Sequence, residues 1–131
     1  MSFATLLGVL TAEQMLALKQ LADTAQWREI PLRQYDTADI SGFWEECTRA
    51  FFIRIPPKGH IHRHRDEAIK GITHHLVLQT NSQALNWWQE DGQDCCIHLQ
   101  AGKRYLVQRD PLHWATNDGD TDRIHLLVEY G

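Results

Sequence analysis

Apolar residues recur along this chain in two rhythms, one helical and near the N-terminus, the other alternating and repeated to the end. Met15, Leu18 and Leu21, with Ala22 and Ala25, fall at three- and four-residue spacing, which predicts a helix over 11–26. Thr11 can cap it and Gln14 can complete a capping box, since each side chain reaches the other's backbone amide. From Trp27 onward the texture is that of short strands separated by turn residues. "RAFFIRI" (49–55) stops at Pro56-Pro57-Lys58-Gly59, and "GITHHLVLQ" (71–79) and "LNWWQ" (85–89) lead to a turn at Asp91-Gly92. "DCCIHLQ" (94–100), "KRYLVQ" (103–108) and "RIHLLVEY" (123–130) follow. With the histidine-rich run 60–66 and a short piece around 112–116, this makes about eight strands. One helix packed on such an array predicts a mainly β fold, a double-stranded β-helix or jelly roll of cupin-like form. An α/β fold is disfavoured because no helices alternate with the strands.

Length sets the scale of this picture. At 131 residues the chain is read as a single domain, 1–131, with no repeat, linker or low-complexity tract. Its net charge of −4 and lack of a basic stripe argue against a nucleic-acid partner. Three cysteines, Cys47 and the adjacent Cys95 and Cys96, make no disulfide framework and favour a reducing compartment. On a strand the adjacent pair would face opposite ways, so packing is their expected role. "MSFATLLGVL" is apolar but has no basic residue before Lys19, which makes it a poor signal peptide and too short a membrane span. The expected location is cytoplasmic, without membrane contact. Exposed strand edges in small jelly rolls leave a homodimer open.

Candidate chemistry gathers in two stretches, "HIHRHRDEA" and "LHWATNDGDTDRIHLLVEY". On an extended run His60, His62, His64 and Asp66 would share one face, because strand side chains alternate. His64 and Asp66 form a His-x-Asp pair, and His113 lies 47 positions beyond Asp66, near a strand end. Two histidines and one carboxylate suit a mononuclear non-haem Fe(II) centre with open coordination positions. Arg123, ten residues after His113, opens the last strand on the same face as His125, Leu127 and Glu129. Its guanidinium is shaped to grip a carboxylate, and burying it would demand such a partner. A rim arginine paired with Asp120 or Asp122 is the plainer alternative. Trp44 and Trp114 flank the proposed site in sequence and are candidates for a substrate wall, although core packing is the commoner role for tryptophan.

The stretch "HRHRD…THHLVLQTN…G…PLHWATNDGDTDRIHLLVEY" resembles the aspartyl/asparaginyl β-hydroxylase family of Fe(II)/2-oxoglutarate-dependent oxygenases, from about residue 50 to the end. The resemblance implies iron held by His64, Asp66 and His113, and the distal carboxylate of 2-oxoglutarate held by Arg123. It implies that His75 is a pocket histidine of the cofactor site. The implied reaction is hydroxylation of a small molecule, an amino acid or an amino-acid side chain, with release of succinate and CO2. One position departs from the pattern: Thr73 stands where many members have an arginine.

Two rivals remain. His62-x-His64 with Glu67, and His113 with Asn117, echo the two cupin motifs, which would make a metal protein that does not use 2-oxoglutarate. A non-catalytic β-barrel with a vestigial site is the other. Substrate identity and any metal contact by His60, His62 or Glu67 stay open.

Overall fold

The computed structural model describes residues 3–30, 34–66 and 71–131. Among them are eleven strands and one helix: β1 (Ala4–Val9), α1 (Ala12–Thr24), β2 (Arg28–Glu29), β3 (Asp36–Asp39), β4 (Arg49–Ile55), β5 (His60–His64), β6 (Ile72–Gln79), β7 (Ala84–Glu90), β8 (Gln93–Ile97), β9 (Lys103–Val107), β10 (His113–Asn117) and β11 (Arg123–Tyr130). Thr11 caps α1, and the reciprocal Thr11–Gln14 box is made on both sides. All pairings are antiparallel. One sheet has seven strands in the order β1-β9-β6-β11-β4-β3-β2, and the other has four in the order β5-β10-β7-β8. This is the mainly β, cupin-like jelly roll expected, with its helix on one outer face.

Alternation along β4, β6 and β11 explains why the large sheet is buried on both sides. Ala50, Phe52, Leu76, Leu78, Leu126 and Val128 face outward, where Leu18 and Ala22 of α1 cover them. The other face looks across to the small sheet. There Phe3, Val77, Trp88, Leu99, Tyr105 and Val107 form a second core, with Phe3 stacked on Trp88 at 5.3 Å between ring centroids. The remaining inner face encloses a cavity.

Three strands lie outside the eight anticipated. β2 and β3 are too short to show an alternation, and β1 hides its strand character in a uniformly apolar run. Leu6, Leu7 and Val9 of β1 are largely exposed on the edge of the large sheet. No helix among the described residues is long and apolar enough to cross a membrane.

The histidine run also differs from simple alternation. β5 ends at His64, so Asp66 stands in the loop beyond. Against β10 the register runs His113↔His64 and then Ala115↔Ile61, which places one extra residue on β5. A bulge of this kind reverses the phase of the strand. Ile61 therefore lines the cavity beside His62, His64 and Asp66, while His60 is exposed outside it, so three of the four groups expected on one face reach the cavity and His60 does not.

Candidate metal centre

The bulge and the register put His64 directly opposite His113, with ring centroids 4.3 Å apart. Asp66 closes the group: its carboxylate lies 3.6 Å from His64 Nε2 and 3.2 Å from His113 Nε2. One ligand atom from each of the three falls within 4.8 Å of the others, the spacing of a metal site. The two imidazoles are aimed by their own backbones. His64 Nδ1 sits 2.8 Å from the His62 carbonyl and His113 Nδ1 sits 2.8 Å from the Pro111 carbonyl. Nδ1–H donates in each case, which leaves Nε2 facing Asp66: it donates to that carboxylate when it carries a proton, and becomes the ligand atom once that proton is lost to a metal. Hydrogen bonds from His113 and His64 hold the Asp66 carboxyl far below the usual carboxylate range. These three residues thus fit a divalent metal in donor type, tautomer and spacing. His60 and His62 stand outside this cluster, and Glu67 lies outside the described residues.

The cluster opens into a cavity of about 440 Å³, a volume ordinary for small-molecule sites. Phe51, Trp87 and Trp114 contribute aromatic wall, the last two stacked at 5.8 Å and 4°. Trp114 is therefore on the cavity as anticipated, whereas Trp44 packs on the helix side of the large sheet. Cys47 and Cys95 pack against the two cores, Cys96 is exposed, and none joins the metal cluster.

Arg123 lies deeper, on a small continuation of this cavity that shares His75, Asn86 and Leu127 with it. The residue is 3% exposed. Nε donates to His125 Nε2 at 3.2 Å, Nη1 to the carbonyls of Leu85 (3.0 Å) and Thr116 (3.4 Å), and Nη2 to Asn86 Oδ1. Every partner is neutral, and among the described residues no carboxylate pairs with it. The rim alternative with Asp120 or Asp122 is thereby replaced by a buried cation, whose pKa burial lowers to about 9, still charged at neutral pH.

His75 is tied to the same chain of contacts. Because Arg123 Nε–H must donate, His125 Nε2 accepts and its proton sits on Nδ1, 3.1 Å from His75 Nδ1. His75 then accepts at Nδ1 and carries its proton on Nε2. Burial, with Arg123 second, lowers the His75 pKa to about 3 and that of His125 well below the ordinary value, so both rings are neutral.

Sequence reasoning missed Asn86 and Arg109 on the cavity. Nothing marks Asn86 within "LNWWQ". Arg109 had a signal, since it continues the inward alternation of Tyr105 and Val107 past the end of β9.

The fold recurs in solved structures of low identity. A 2OG-Fe(II) oxygenase family oxidoreductase from Burkholderia pseudomallei superposes with a TM-score of 0.77 at 10% identity, covering 97% of this chain and 83% of that one. The CENP-C cupin domain of Drosophila melanogaster gives 0.61 at 12% identity, over 82% and 77%. A cupin domain from Bordetella pertussis gives 0.54 at 17% identity, over 72% and 93%. No curated protein matches the sequence. The family model described as aspartyl/asparaginyl beta-hydroxylase matches residues 36–130, reaching upstream of the resemblance through β3 and β4. That span takes in every member of the metal cluster together with His75 and Arg123, and the chain belongs to the aspartyl/asparaginyl beta-hydroxylase family.

Proposed function

We propose that this protein is an Fe(II)- and 2-oxoglutarate-dependent dioxygenase that hydroxylates an amino acid or an amino-acid side chain, releasing succinate and CO2. Family membership supports an oxygenase or hydroxylase. The observation that carries the finer reading is Arg123: a buried guanidinium with only neutral partners, on the continuation of the cavity that holds His64, Asp66 and His113. A buried cation without a counter-charge is costly, and a dicarboxylate co-substrate supplies the missing charge.

His64, Asp66 and His113 would hold the metal, and Fe(II) with 2-oxoglutarate would supply the activation of dioxygen that hydroxylation needs. Arg123 would grip the distal carboxylate, which takes the place that Asn86 Oδ1 holds on Nη2. His75, fixed as an Nε2–H donor by His125, offers the cavity a neutral hydrogen bond whose direction does not change with pH near neutrality. Phe51, Trp87 and Trp114 keep bulk water from the reacting centre. That exclusion strengthens every charged contact inside.

The test is anaerobic addition of 2-oxoglutarate to the Fe(II)-loaded protein. A weak visible charge-transfer band is expected, with Arg123→Met losing it while Fe(II) remains bound. Absence of the band in the unaltered protein, with iron bound, refutes the reading. The cupin-type alternative, a metal protein indifferent to 2-oxoglutarate, draws support from the cupin-domain neighbours. It requires iron binding to depend on His62 and Glu67 rather than on Asp66.

A further inference from the structure

The cavity mouth carries charges that iron and its co-substrate leave unused. Glu129 is the last inward residue of β11, set by register opposite Arg49 on β4 and Thr73 on β6. Arg109 follows β9 two residues after Val107, the partner of Thr73. The Arg109 and Glu129 side chains are only 10% and 15% exposed, yet they approach no closer than 3.5 Å. The other contact of Arg109, to the Gly71 carbonyl, is also 3.5 Å. Ion pairs elsewhere in this chain are much tighter despite greater exposure: Arg54–Asp36 and Arg104–Glu45 both close to 2.8 Å. A mostly buried pair recovers its desolvation cost only through close hydrogen bonds, which this one lacks. Beside it, Thr73 Oγ1 is buried and has no hydrogen-bond partner among the described residues. Buried polar atoms are rarely left so. All three residues line the metal cavity.

We propose that Arg109, Thr73 and Glu129 form a head-group site for a free α-amino acid, with Arg109 and the Thr73 hydroxyl taking the α-carboxylate and Glu129 taking the α-ammonium. A zwitterion answers both half-paired charges at once. A residue inside a polypeptide brings two amides instead and leaves both charges unanswered. Arg49, held with its Cζ 4.0 Å from the Phe51 ring centroid, adds positive charge to the same mouth and favours entry of a carboxylate. The assignment deepens the oxygenase reading and rests on it for the fate of the bound amino acid, while the binding itself is separate.

The experiment is calorimetric titration of the protein, loaded anaerobically with Fe(II) and 2-oxoglutarate, with the free proteinogenic L-amino acids. Any that bind are then compared with their N-acetyl and α-amide forms. At least one free amino acid is expected to bind, and blocking either end should weaken it roughly ten- to a hundredfold. Glu129→Gln should erase the discrimination against the N-acetyl form, and Arg109→Gln that against the amide. The comparison of blocked with free ligands uses the unaltered protein, so a variant that fails to fold does not decide the matter. Equal binding of free and blocked forms, or no binding by any amino acid while the 2-oxoglutarate band forms, overturns the head-group site and leaves the oxygenase reading standing. Selective binding of free amino acids without that band supports the head-group site and refutes the oxygenase reading.

Discussion

Lowering the pH from 7.5 to 5 should destabilise the metal-free protein through two buried rings, His75 and His125. Protonating either one inside the fold would break the chain from Arg123 Nε through His125 to His75, and would set a second cation beside a buried guanidinium. The folded-state pKa of His75 accordingly falls from 6.5 to about 3, and that of His125 falls well below 6.5. A histidine with a lowered folded-state value gains its proton first in the unfolded chain. Stability is therefore whole above about pH 6.5 and is lost as the pH falls toward the folded value. Between pH 7.5 and 5 the His75 ring alone contributes a loss of about 2 kcal/mol, and His125 adds to it in the same direction. Against a total stability of roughly 5–15 kcal/mol this is a large fraction.

Asp66 works in a separate window. Its carboxyl is held low by hydrogen bonds from His113 and His64, so its contribution persists above the unfolded value of 3.8 and fades only below it. Urea unfolding followed by tryptophan fluorescence at pH 7.5, 6.5, 5.5 and 5.0, with EDTA present, measures the loss. Imidazole Cε1–H resonances report the rings directly: those of His75 and His125 should not titrate between pH 7.5 and 5. A midpoint near 6.5 for either ring, or a urea midpoint flat across the range, refutes the reasoning.

Asn117→Ala should cost about 3 kcal/mol in urea unfolding, because the buried amide donates to the carbonyls of Ile55 (2.8 Å) and Thr121 (2.9 Å) and accepts from Gly119 N and Asn81. Gly119→Ala attacks the same junction from outside, since an added Cβ would stand 2.1 Å from Asn81 Oδ1, and it should lower the thermal midpoint without altering metal affinity. Asp66→Ala should weaken Fe(II) binding by more than about 100-fold in competition with a chelator, as loss of a ligand exceeds the loss of a supporting contact. His125→Phe, which keeps ring volume but removes both nitrogens from the chain, should raise the dissociation constant for 2-oxoglutarate while leaving that for Fe(II) within about threefold, read by titration of each in turn.

Strand boundaries were legible wherever alternation ran long enough to declare itself. β4 and β11 needed nothing beyond the spacing of Phe51, Ile53, Leu126 and Val128, and the capping box of α1 is visible as Thr11 and Gln14. β2 and β3 carry two and four residues, too few for a period, and β1 is apolar on both faces. The pairing of residues 64, 66 and 113 could be anticipated from ligand type. The bulge that brings them together could not, because an unpaired residue on β5 exists only relative to β10. Glu129 was placed on the Arg123 face by alternation, but Arg109 was overlooked for a similar reason: a charge just past a strand end reads as solvated until the register shows it facing the cavity. Thr73 was noticed for what it replaces, whereas its unpartnered hydroxyl appears only once burial is known.

β11 carries chemistry and folding on opposite faces. Arg123, His125, Leu127 and Glu129 point inward from the deep end to the mouth, while Ile124, Leu126, Val128 and Tyr130 pack toward α1. A slip of one residue against β4 would exchange the two sets and bring three ionisable side chains under the helix. The apolar contacts of Leu18 and Ala22 with the outer face are thus what hold Arg123 at depth, since they penalise the wrong register by the full burial of charge. The inner face has no such preference of its own: it contains two charges, Arg123 and Glu129, whose burial is unfavourable until ligands answer them. It follows that ligands which satisfy Arg123 and Glu129 should stabilise the fold in proportion to their occupancy, and that the helix side bears that cost while the cavity is empty.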